Sequence, residues 1–315
     1  MKQRVFVTGA TGGMGFASLK EMLKDTDKQD IVILARDSEK NRNILKPYTE
    51  TPGLEIVWGD LNNYDDVLKC VKGCDLILHI AAFVSPAADY YPKQAMKVNY
   101  GSTRNIISAI YELGQQERTR LVYIGTVAET GDRMPPVHWG RVGDPIKPSM
   151  FDYYAVSKVA AERLVIESGL KYWVSLRQTG IIGRAMAEIE DAIMFHNCFD
   201  NVLEYCSDRD SARAMKNLCA FFHDGSLEES FWGHIYNIGG GAPCRISTYE
   251  MYRIMYGAIG MTNLDYMLSP KKEATLNFHG QYYLDGDKLE NYLHFRHDSM
   301  QYFYDCYLEK LGALC

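Results

Sequence analysis

The chain opens with Met1-Lys-Gln-Arg-Val-Phe-Val-Thr-Gly-Ala-Thr-Gly-Gly-Met-Gly15. Val5, Phe6 and Val7 form an apolar run with β-branched character that stops at Thr8-Gly9, and Phe16 to Lys24 has helical composition. This reads as a buried strand, a glycine turn and a helix. Gly9, Gly12 and Gly15 are spaced three apart. Glycines so placed let the backbone approach a pyrophosphate, and the helix N-terminus offers unpaired N–H donors and partial positive charge. A glycine-rich connection without a ligand is the plainer reading. The position directly after a strand and at the start of a helix favours dinucleotide binding.

Working outward, Ile31–Ala35 is a second buried strand, followed by Arg36-Asp-Ser-Glu-Lys40. In a dinucleotide fold the end of this strand meets the adenosine ribose. An acid there selects NAD, and an arginine accommodates the extra phosphate of NADP. Arg36 therefore predicts a preference for NADP over NAD, although Asp37 follows it directly. Leu54–Trp58 is a third strand, and Asn62 or Asn63 can cap a helix running to about Lys72. Asp75–Ala82 is a fourth strand with small residues at its carboxyl end, which leaves room for a ligand. A long helix over Lys93–Leu113, strands over Leu121–Gly125 and Tyr172–Leu176, and a helix opening near Phe151 continue the alternation. The pattern predicts an α/β fold with a Rossmann-type, doubly wound parallel sheet.

The expected organisation is a nucleotide-binding domain over about residues 1–180, rejoined by segments from about 205–240, with a smaller C-terminal substrate lobe over about 181–315. The loop from Gly131 to Pro148 is long for a connection inside a compact domain, which marks it as functional. The segment Ala185–Phe199, rich in Met, Ile and Phe, is expected to cover the substrate.

The 315 residues are 47% hydrophobic and 23% charged, with a net charge of −6 and no long basic run. That composition is globular and does not favour nucleic acid. No apolar stretch is long enough to span a bilayer, and the opening strand leaves no secretory leader. Eight scattered cysteines lack Cys-x-x-Cys pairs, and His196, His223 and His234 lack ligand spacing. The expectation is a cytoplasmic protein with reduced thiols and no metal, acting on a small molecule.

Tyr154-Ala-Val-Ser-Lys158 puts a phenol and an ammonium on one helical face. An ammonium beside a phenol stabilises the phenolate. Thr126, closing the preceding strand, adds a hydroxyl that can position a substrate oxygen. A carbonyl reduced by hydride needs that set of groups.

These motifs together resemble the extended short-chain dehydrogenase/reductase superfamily, the branch of NAD-dependent epimerases, dehydratases and 3β-hydroxysteroid- or dihydroflavonol-type reductases. The resemblance runs from Val5 to about Gly241. It rests on Thr8–Gly15, Gly59-Asp-Leu61, His79-Ile-Ala-Ala82, Val98–Thr103, Thr126 with Gly131, Tyr154 with Lys158, Leu176-Arg177, Arg209–Ala212 and Tyr236–Gly240. It implies that Tyr154 is the acid/base, that Lys158 tunes it and holds the nicotinamide ribose, that Thr126 bonds the substrate oxygen and that Asn99 supports the site. The implied cofactor contacts are Gly9, Thr11, Gly12, Gly13, Met14 and Gly15 in the turn, then Arg36, Asp60, Leu61, Ala81, Ala82, Tyr154, Lys158 and Gln178. His79 is expected to be structural. A homodimer through the helices of Asn99 and Tyr154 is also implied.

Sugar-nucleotide dehydratases of the family follow the active-site Thr with Asp-Glu, where this chain has Val127-Ala128, so elimination is disfavoured. The usual Pro after Leu-Arg is Gln178. The resulting expectation is a reductase of an apolar ketone or aldehyde. A sugar-nucleotide epimerase with retained NAD would reuse the same residues, and a non-catalytic nucleotide sensor could share the fold.

Overall fold

The computed structural model describes residues 2–131, 133, 137–187, 198–258, 260–263 and 279–312. Seven strands form one parallel sheet: β1 (Gln3–Thr8), β2 (Gln29–Ala35), β3 (Leu54–Trp58), β4 (Leu76–His79), β5 (Arg120–Thr126), β6 (Tyr172–Gln178) and β7 (His234–Ile238). Their order is β7-β6-β5-β4-β1-β2-β3. The inner strands β1, β2, β4, β5 and β6 are largely buried and carry apolar runs because helices cover both faces, whereas the edge strands β3 and β7 are partly exposed. The direction of winding reverses between β1 and β4, where a doubly wound sheet opens a crevice at its carboxyl edge.

One face is covered by α1 (Gly13–Met22), α2 (Glu39–Leu45) and α6 (Asp208–Asp224), with α1 packed on α6. Leu19, Met22, Met215 and Leu218 fill that side. The other face carries α3 (Tyr64–Val71), α4 (Pro92–Glu112) and α5 (Tyr153–Ile166) over Phe6, Ile77, Leu121 and Tyr123. Helix starts follow the sequence. Ser38, Asn63, Asp152 and Ser207 each accept a backbone N–H of the turn they open. A third apolar cluster, including Leu203, Tyr205, Tyr252 and Phe303, holds α7 (Thr248–Gly257) and α9 (Met300–Gly312) in the C-terminal part; α8 (Asp287–Leu293) packs by β7.

The main departure from the sequence reading is the end of β4. The strand stops at His79 instead of reaching Ala82, because the Ala81 N–H leaves the ladder and donates to Thr8 Oγ1 (3.0 Å). Of the expected substrate-covering segment, residues 188–197, with Met194, Phe195 and His196, lie outside the described residues. So do residues 132 and 134–136 of the long loop, and Cys315. The seven described cysteines are buried free thiols. Among the described residues no helix is long and apolar enough to cross a membrane.

Candidate active site

The turn after β1 shows why its glycines are needed. Gly9 has φ +72°, and a Cβ there would lie 2.8 Å from Ala81 Cα. A Cβ on Gly15 would lie 2.1 Å from the Gly9 carbonyl oxygen. Those two positions let α1 and the β4 exit close onto the turn. Gly12 caps α1 with no side-chain hydrogen bond, the first turn carries no acid, and a Cβ on Gly13 would meet nothing within 4 Å. Met14 is buried beneath, and Thr11 is half-buried. Open space over uncapped helical N–H groups fits a pyrophosphate.

Around the turn, Arg36 follows β2 and is exposed. Asp37, the acid beside it, is engaged by Arg42 through two hydrogen bonds (2.6 and 2.8 Å). That pairing holds the Asp37 carboxyl below its usual range. The Arg42 guanidinium also stacks 4.6 Å over Trp58. Asp60 accepts from the backbone and side chain of Asn62, both at 2.8 Å, so it shapes the turn after β3. The neighbouring Leu61 packs on the lower core, and its carbonyl accepts from Asn105. Ala81 and Ala82 are partly exposed just beyond β4.

Asn99 is buried on α4 and acts as a clamp. It accepts from the Phe83 N–H (2.7 Å) and donates to the Phe83 carbonyl (3.1 Å) and to Ser157 Oγ (2.8 Å), joining the β4 exit to α5. His79 lies between Thr8 Oγ1 and Thr103 Oγ1, each 3.0 Å away. Burial, then the charge of Lys158, brings its pKa down to about 3, so it is a neutral hydrogen-bonding hub.

Thr126 ends β5 opposite Gln178 at the end of β6. Tyr154 lies in the first turn of α5, with its phenol beside the Thr126 side chain. Burial raises the phenol above its ordinary range, and the Thr126 side chain offsets part of that rise. Gln178 is tied down by its donation to the Thr179 carbonyl and by acceptance from Ser211 Oγ.

Lys158 differs from expectation. Its ammonium points inward, donating to the Ile124 carbonyl (2.6 Å) and lying 4.1 Å over the Tyr123 ring. Burial pulls it down to about 8, against the opposing attraction of nearby carboxyl groups. The Ile124 carbonyl and the Tyr123 ring hold the ammonium, and Lys158 is not among the groups that shift the Tyr154 phenol.

The sequence reading missed the acids beneath the site. Glu162 Oε1 accepts from Ser175 Oγ (2.6 Å) and Arg177 Nε (3.1 Å), and its Oε2 accepts from Arg177 (2.6 Å). Glu129 Oε1 accepts the Thr126 N–H (3.2 Å) while Thr126 caps the turn, a reciprocal capping box. The signal was available: Thr-x-x-Glu at 126–129 is the spacing of that motif. Among the described residues no cluster of acids, histidines and cysteines could hold a metal, and Asp210, fully buried, instead accepts the His297 and Asp298 N–H groups. A groove of about 1050 Å³ runs along β7 past Trp173, Tyr236 and Tyr292, but no residue of the Thr126–Tyr154 site lines it.

The model of the NAD dependent epimerase/dehydratase family matches residues 5–239. The chain belongs to that family. It also falls within the extended short-chain dehydrogenase/reductases. It is 30% identical over 195 residues to a 3 beta-hydroxysteroid dehydrogenase/Delta 5→4-isomerase of vaccinia virus, covering 56% of this chain and 52% of that one. A 3-beta-hydroxysteroid dehydrogenase of Mycolicibacterium neoaurum is 30% identical over 209 residues, covering 64% and 52%. A UDP-glucose 4-epimerase of Rickettsia akari is 32% identical over 109 residues, covering 33% and 32%. The chain thus matches about half the length of the curated dehydrogenases or less. The dTDP-glucose 4,6-dehydratase DesIV of Streptomyces venezuelae, solved with NAD and TYD, shares the fold with a TM-score of 0.75 at 20% identity, covering 99% of this chain and 98% of that one.

Proposed function

We propose that this chain is an oxidoreductase that prefers NADP(H) to NAD(H) and interconverts a carbonyl and an alcohol on an apolar ketone or aldehyde. The observation that carries the reading is the pairing of the Thr126 and Tyr154 side chains at the carboxyl end of β5, on the same edge of the parallel sheet as the glycine turn. The turn residues, Arg36, Asp60, Leu61, Ala81, Ala82 and Gln178 would hold the cofactor, which when bound supplies or accepts a hydride. Thr126 would orient the substrate oxygen. Tyr154, with its pKa raised, keeps its proton at neutral pH and is poised to give it to that oxygen, which favours reduction. Asn99 would keep the β4 exit in register with α5. Lys158 would add positive charge behind the site.

Further observations support the finer points. Asp37 is occupied by Arg42, while Arg36 makes no salt bridge among the described residues, an arrangement suited to a ribose phosphate. The names of the 3β-hydroxysteroid relatives favour an apolar substrate, and Val127-Ala128 lack the acids of an elimination enzyme. A cytoplasmic setting fits the buried free thiols. A homodimer fits the exposed Met96 and Tyr111 on α4 and Val156 and Ile166 on α5. The match to a UDP-glucose 4-epimerase keeps an NAD-retaining epimerase as the second reading.

Tyr154→Phe tests the mechanism. Loss of the acid should lower kcat about 10²–10⁴-fold in a carbonyl-reduction assay while NADPH binding persists. Near-normal turnover in the variant would overturn it.

A further inference from the structure

We propose that Glu129 is a positioning residue that works as a neutral carboxylic acid, linking the buried Glu162–Arg177 pair to the Thr126 backbone and so fixing the hydroxyl that orients substrate. This rests on the oxidoreductase reading for its catalytic consequence. It also makes a claim about protonation that can be tested without a substrate.

Glu129 is completely buried. One oxygen accepts the Thr126 N–H, and the other accepts no hydrogen bond and lies 3.6 Å from Arg177 Nε, the same nitrogen that donates to Glu162 Oε1 (3.1 Å), so the two carboxyls are neighbours. Two carboxylates sharing a buried site cannot both ionise cheaply. The choice between them is settled by their partners. Burial pushes Glu162 up, but two bonds from Arg177 and one from Ser175 more than offset this, so Glu162 holds the charge. Glu129 has one weaker backbone donor, and burial together with Glu162 pushes it well above the usual range. A proton on the unbonded oxygen of Glu129 is then donated to Glu162, giving a continuous chain from Arg177 through Glu162 and Glu129 to the Thr126 N–H. The groups facing Glu129 are Glu162, Lys158 and Tyr154 on α5, Arg177 on β6 and Tyr123 on β5. Its own carbonyl accepts the Lys147 N–H (3.0 Å), so the same residue anchors the long loop. Ionising Glu129 would set two anions against each other and remove the proton that joins Glu129 to Glu162.

Glutamine reproduces the neutral acid: its carbonyl can accept from Thr126 and its amide can donate to Glu162. Above the ordinary glutamate range the folded chain keeps a proton that the unfolded chain has released. Wild-type stability should therefore fall as pH rises toward the folded value. E129Q removes that fall.

Three variants decide the matter. Infrared spectra at neutral pH should show the carbonyl stretch of a protonated carboxyl in wild type and not in E129Q. Melting temperature should decline with rising pH more steeply in wild type than in E129Q. In turnover, E129Q should match wild type at neutral pH and lose its alkaline decline, and E129A should lower kcat about tenfold with little change in KM, the size of one lost oriented hydrogen bond. Equal infrared bands and parallel pH–melting curves for wild type and E129Q would overturn the proposal, even if E129A does not fold. Y154F, run beside them, separates the two claims. Full activity in Y154F sinks the oxidoreductase mechanism, whereas an inactive Y154F with an unchanged E129Q band sinks only the role of Glu129.

Discussion

The two sides of the crevice are built differently. On the β1–β4 side the backbone does the work: a Cβ on Gly9 or Gly15 would lie only 2.8 or 2.1 Å from neighbouring backbone atoms, and charged groups stay at the rim. On the β5–β6 side, buried side chains do the work. Glu129, Glu162, Arg177 and Lys158 lie within the protein, at most 3% exposed, under Thr126 and Tyr154. Even Gly125 serves that network, since a Cβ there would sit 2.9 Å from Ser175 Oγ and 3.1 Å from Glu162 Oε1. Such a cluster adds little net stability over an apolar core, but it is costly to leave half-formed. A nucleotide site can thus be specified by shape alone, whereas a proton-handling site requires a fixed arrangement of charges.

The largest expected effect tests the charged side. Arg177→Met should destabilise the fold by about 3–5 kcal/mol in urea unfolding, because Glu162 is left buried and unpaired. Adding Glu162→Gln to Arg177→Met should recover part of the loss. A cost under about 1 kcal/mol would mean that the network is not held as described.

A medium effect tests the backbone side. Gly15→Ala forces its Cβ against the Gly9 carbonyl and should cost about 1–3 kcal/mol by overpacking, with loss of nucleotide affinity. Gly13→Ala, whose Cβ meets nothing within 4 Å, should leave thermal stability unchanged. Equal losses in both variants would contradict the distinction between close-packed and open glycines.

The smallest effect lies at the rim. Arg36→Ala should weaken NADPH about tenfold and NADH hardly at all in a binding titration, the size of one charge-assisted contact of about 1.4 kcal/mol. An equal effect on both nucleotides would remove the basis for the NADP preference.

The same contrast decides what the sequence revealed. The sheet was legible because each strand is a short apolar run bounded by turn residues; Leu54–Trp58 was read with its observed bounds. The glycine turn was legible because its constraints are local. The end of β4 was misread because Ala81 leaves the ladder for Thr8, a residue 73 positions away. The Lys158 ammonium is held by the Ile124 carbonyl and the Tyr123 ring, neither of which the Tyr-x-x-x-Lys spacing contains. Arg177 was read only as a strand end. Its partner Glu162 lies on α5, and the pair exists only after β5, β6 and α5 have packed.

The central claim is a dissociable NADP(H) cofactor serving Tyr154. The most direct measurement is the nucleotide content of the purified chain, followed by titration with NADPH and NADH. A chain that arrives without nucleotide and binds NADPH reversibly and more tightly than NADH is the predicted result. NAD that survives gel filtration would contradict it and point to the retained-cofactor chemistry of an epimerase.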